Sequence, residues 1–106
     1  PPIVLIPYSA NWGYSAIKLF NLAVYDISSP GSKFAMKLYE KDTGSSSRVP
    51  FLTCGGSGFG DFVTFSWPQG LLLNNTYQHS ELWWEYGAAA GVGTGGADVH
   101  ITYAID

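Results

Sequence analysis

Charge is scarce in this chain. Asp, Glu, Lys and Arg make up 12% of its 106 residues, about half the usual share. Positive charge is scarcest. Lys18, Lys33, Lys37, Lys41 and Arg48 are the only basic residues, and none follows Arg48. A nucleic-acid surface needs several phosphate-neutralising cations together, so nucleic acid is not an expected partner. The same shortage argues against an anionic membrane surface. Cysteine occurs once, as Cys54, so no internal disulfide can form. The plain reading of Cys54 is a buried, inert thiol; intermolecular pairing or a reactive thiol is the sharper one. No apolar run approaches the ~18 residues of a membrane span. Helical periodicity is missing too: no window keeps apolar residues at i, i+3, i+4, i+7 for three turns. Ala88-Ala89-Ala90 is hemmed in by glycine.

What remains is aromatic and alternating. Aromatics reach 16%, with four Trp and seven Tyr, a composition suited to β-structure. The length fits one domain, 1–106, with one modest core. In KFAMKLY, Phe34, Met36 and Leu38 share one side. In DFVTFSW, Val63, Phe65 and Trp67 alternate with Phe62, Thr64 and Ser66. In SELWWEY, Leu82, Trp84 and Tyr86 alternate with Glu81, Trp83 and Glu85. In DVHITYAID, Val99, Ile101, Tyr103 and Ile105 alternate with His100, Thr102 and Ala104. A period of two puts each set on one face of a sheet.

Gly, Pro, Ser and Asn clusters punctuate these runs. About seven strands result, roughly 2–8, 14–26, 33–40, 49–53, 61–67, 76–86 and 98–105. The expected fold is all-β: an antiparallel β-sandwich, immunoglobulin- or fibronectin III-like, with a small β-barrel as the alternative. Tyr77, entering the sixth strand, is placed for a tyrosine corner; the plainer reading is an ordinary strand tyrosine. Tyr8, Trp12 and Tyr14 in PYSANWGYS read as a turn carrying amphipathic rings.

GVGTGG spells G-x-G-x-x-G through Gly91, Gly93 and Gly96. A dinucleotide site needs a helix after it, whose N-terminus holds the pyrophosphate. Here an alternating strand follows, and no acid lies ~20 residues on. The segment reads as a loop joining the last two strands of a hairpin.

That hairpin defines the candidate site. With Leu82, Trp84 and Tyr86 facing the core, His79, Glu81, Trp83 and Glu85 face out. His100 and Thr102 face out on the partner strand. Two histidines, two acids and a Trp would share one wet face. A metal site needs the histidines to approach each other, and neither a metal nor a cofactor is expected. A glycosidase needs carboxyls within about 5–9.5 Å, whereas Glu81 and Glu85 lie roughly 13 Å apart along one strand. The bland reading is a solvated face with a Glu–His pair. The sharper one is a platform where Trp83 stacks on a sugar and its neighbours fix the hydroxyls. Asn74-Asn75-Thr76 makes Asn74 a glycosylation candidate in a secreted chain.

IKLFNLAVYDISSPGSKFAMKLYEKDTG, FLTC and DFVTFSWPQGLLL together resemble small secreted fungal proteins of the effector and allergen type. WWEYGAAAGVGTGGADVHITYAID resembles the last strands of the fungal immunomodulatory proteins, whose fold is a fibronectin-type sandwich. Two departures stand out. The allergen type carries disulfides, and the immunomodulatory type opens on an amphipathic helix where Pro1 to Pro7 reads as a strand. The resemblance implies an extracellular, non-catalytic protein of defence, cytotoxic, antifungal, lectin-like or immunomodulatory type, recognising glycans or a cell-surface protein. A membrane-active β-sandwich toxin is a second expectation. A small hydrolase using Glu81, Glu85, His79 and His100 is a third.

Overall fold

The computed structural model describes residues 2–25, 34–56, 62–73, 77, 79–86 and 97–106. Seven strands form: β1 (Ile3–Ile6), β2 (Ile17–Tyr25), β3 (Phe34–Asp42), β4 (Arg48–Gly56), β5 (Val63–Leu72), β6 (Ser80–Tyr86) and β7 (Asp98–Ile105). They make two antiparallel sheets, β1-β6-β3-β4 and β5-β2-β7. The expected all-β sandwich is what the chain adopts. The inner pairings β2–β5 and β3–β6 are those of an immunoglobulin-like sandwich. The terminal strands are exchanged relative to that pattern. β1 pairs with β6, and β7 pairs with β2.

Alternation builds the core. Ile17, Leu19, Leu22 and Val24 on β2 meet Met36 and Leu38 on β3, Leu82 and Trp84 on β6, and Ile6 on β1. Leu19 and Leu22 are three apart, which strict alternation forbids. An extra residue in β2 resolves this. Leu19 faces Tyr103 and Asn21 faces Thr102, so two steps on β2 match one on β7. That bulge resets the phase and returns Leu22 and Val24 to the interior.

β5 departs from expectation at Pro68-Gln69-Gly70. The segment reads as a turn but runs within the strand, as a register irregularity opposite Leu19–Asn21. Gly70 has φ +84°, and the Lys18 side chain lies across it. The PYSANWGYS turn is a 3-10 turn over Ala10–Trp12. Ser9 caps it by accepting from the Asn11 N–H, and Gly13 ends it at φ +62°. Trp12 leans on the core while Tyr14 is 92% exposed.

Glu40 continues the inward row of Met36 and Leu38 and is buried. Its Oε1 accepts from the Ser80 hydroxyl at 2.7 Å and the Tyr77 N–H at 3.4 Å. These bonds tie β3 to the entry of β6. The tyrosine corner involves residues 74–76, and with the Asn74 sequon, the Cys54 side chain and the Gly91–Gly96 loop it lies outside the described residues.

Candidate functional site

The expected six-residue site does not assemble. β6 and β7 are not a hairpin; they belong to different sheets. His79, Glu81, Trp83 and Glu85 lie on the four-stranded sheet, His100 and Thr102 on the three-stranded one. The Glu–His pair proposed across the hairpin therefore does not form, and the hydrolase constellation is split between the two sheets. Among the described residues no cluster of His, Cys, Asp and Glu could hold a metal.

The β6 face is held by contacts within the protein. β3 places Lys37 beside Glu85, Tyr39 beside Trp83 and Lys41 beside Glu81. The Trp83 indole N–H donates to Glu81 Oε1 at 3.1 Å, and the Tyr8 backbone N–H donates to Glu81 Oε2 at 2.9 Å. Lys41 Nζ sits 5.0 Å above the Trp83 ring and 4.0 Å from Glu81. The Tyr39 hydroxyl donates to Glu85 Oε1 at 2.7 Å, under the Arg48 guanidinium at 4.6 Å. Burial, then the bond to Glu85, hold the Tyr39 phenol above its ordinary value; Arg48 opposes them. His79 stacks on Tyr8 with ring centres 4.5 Å apart. Its Nδ1 is buried with no partner among the described residues. Both carboxylates, the indole N–H and the phenol already have partners. A ligand here would have to displace them.

The opposite face differs. Tyr25, Ala23 and Asn21 run down the outside of β2. Asp98, His100 and Thr102 stand across on β7. Thr64 and Ser66 stand across on β5, with Phe62 at its head. Tyr25 and Phe62 are 42% and 57% exposed. Their rings stack at 5.9 Å, and His100 meets the Tyr25 ring edge-on at 5.2 Å. Beyond this aromatic end, Asn21, Thr64, Ser66 and Thr102 form a polar floor around buried Ala23. Among the described residues, none of these four side chains has a hydrogen-bond partner. Among the described residues no Lys, Arg, Asp or Glu interrupts the floor. Asp98 lies at one end, and the Lys18–Asp106 pair at the other. The strand rise and spacing give the floor a footprint of about 13 by 10 Å.

His100 and Thr102 are thus the two sequence-derived residues that reach this surface. Nothing in the expected hairpin pairs them with Asn21, Tyr25, Phe62, Thr64 and Ser66. Their signal was present in DFVTFSW, where period two already puts Phe62, Thr64 and Ser66 on one side. Comparison with family models, curated proteins and solved structures returns no match.

Proposed function

We propose that the protein is a non-catalytic, secreted glycan-binding module whose ligand lies on the outer face of β5-β2-β7. One observation carries this reading: exposed Tyr25 and Phe62 adjoin a floor of hydroxyl and amide groups that have no hydrogen-bond partners among the described residues. Sugars present an apolar C–H face and a rim of hydroxyls. The first stacks on an aromatic ring, and the second needs donors and acceptors. Asn21, Ser66, Thr64 and Thr102 supply both. The uncharged floor favours a neutral saccharide over a sulfated or uronic one. The size suits a short oligosaccharide or one stretch of a polysaccharide. A defence or lectin-like role on other cells follows from such a target.

The test is a glycan array with the parent beside Tyr25→Ala and Trp83→Phe. Binding to neutral glycans, lost in Tyr25→Ala and kept in Trp83→Phe, is the expected result. Parent binding that survives Tyr25→Ala but fails in Trp83→Phe moves the site to β6. No binding by the parent ends the glycan reading.

A further inference from the structure

We infer that β7 is a self-association edge, through which two copies pair antiparallel and join their three-stranded sheets. This does not depend on the ligand. Among the described residues the sandwich has four edge strands, β1, β4, β5 and β7. Exposed edges invite pairing unless short strands, proline or bulges blunt them. β1 is four residues long, irregular after Val4 and flanked by Pro2 and Pro7. β4 carries Pro50 beside a register shift. β5 carries Pro68 and its own irregularity. β7 runs for eight residues without proline, and the one irregularity in its pairing is an extra residue on β2 rather than on β7 itself.

Its free backbone groups can be identified. The Ala16 N–H donates to the Asp106 carbonyl at 2.9 Å, and the Asp106 N–H donates to the Ala16 carbonyl at 2.8 Å. Bonding direction alternates along an antiparallel strand. Even-numbered residues therefore bond toward β2. Val99, Ile101, Tyr103 and Ile105 turn their N–H and C=O to the open side. Tyr103 and Ile105 are also 47% and 36% exposed, although they extend the inward row.

A second copy fits this edge by charge. A register centred on Ile101 sets Ile101 against its own copy and Val99 against Tyr103. On the outer face it sets Asp98 across from Ala104, and Ala104 already lies across from Lys18. A carboxylate and an ammonium then share a row at each end, with only an alanine between them. The register centred on Thr102 would instead oppose Asp98 and Asp106, two like charges. A strand pair buries less than the ~1,200 Å² of a standard interface, so the dimer is weak and dissociates on dilution.

The test combines sedimentation across concentration with amide hydrogen exchange. The parent should shift from monomer to dimer mass. Amides of Val99, Ile101, Tyr103 and Ile105 should gain protection at high concentration and lose it on dilution. Asp98→Lys, at an exposed position, should raise the dissociation constant at least about tenfold at low salt, less so at high salt. Tyr103→Lys should abolish the dimer. If that variant fails to fold, Asp98→Lys and the parent's exchange decide. A parent monomeric at every concentration overturns the inference. So does a dimer whose odd-numbered amides stay unprotected, or one that Asp98→Lys leaves unchanged at low salt.

Discussion

Replacing Trp83 separates a structural aromatic from a binding one. The indole N–H bonds a carboxylate, a type of bond worth about 1.5–3 kcal/mol. The Lys41 contact over the half-exposed ring adds about 0.5–1 kcal/mol. Discounting for solvent, Trp83→Ala should cost about 2–3 kcal/mol, or a Tm drop of roughly 10–20 °C in a domain this small. Trp83→Phe keeps a ring beneath Lys41, and Glu81 keeps the Tyr8 N–H. Its cost should be about 1.5–2 kcal/mol, that one hydrogen bond after the same discount. Tyr25→Ala loses only half-exposed ring contacts and should cost about 1 kcal/mol or less. Urea denaturation followed by far-UV circular dichroism gives all three values. If Trp83→Ala is neutral, or Tyr25→Ala costs more than it does, the view of β6 as an internally engaged face fails.

Two further outcomes follow from the same geometry. The folded Tyr39 phenol holds its proton where the unfolded one loses it. Its contribution is therefore intact below about pH 10 and is lost as pH rises through the folded value; Tyr39→Phe should flatten that alkaline decline in urea melts. At Gly70, φ +84° costs any L side chain about 1–2 kcal/mol, and a Cβ would stand 2.8 Å from Lys18 Cγ. Gly70→Ala should therefore destabilise by more than its backbone cost alone. A Lys18→Ala background should relieve the steric part, read as a coupling in a double-mutant cycle.

Much of the fold was legible because alternation reports faces directly. Met36, Leu38, Leu82, Trp84, Val99 and Ile101 all point where their period of two places them. Period two says nothing about which sheet a strand joins, and the site was lost there. β6 and β7 are adjacent in sequence, and sequential strands are commonly neighbours. Yet the connection 87–97 is longer than a usual hairpin loop of about 2–5 residues, a clue to the crossing between sheets. The bulge at Phe20 left no mark in the sequence, since it depends on packing Leu19 and Leu22 into one core. The role of Glu40 is not legible in the sequence, because a carboxylate in an inward row resembles the end of that row. Its partners, Ser80 and the Tyr77 N–H, come from nearly forty residues away.

The most direct test of the glycan face is an amide chemical-shift titration of the parent with a neutral oligosaccharide from the array. Shifts clustered on Asn21, Tyr25, Thr64, Ser66, His100 and Thr102, with Glu81 and Trp83 unmoved, are the expected result. Shifts centred on Trp83 and Glu81 would contradict it.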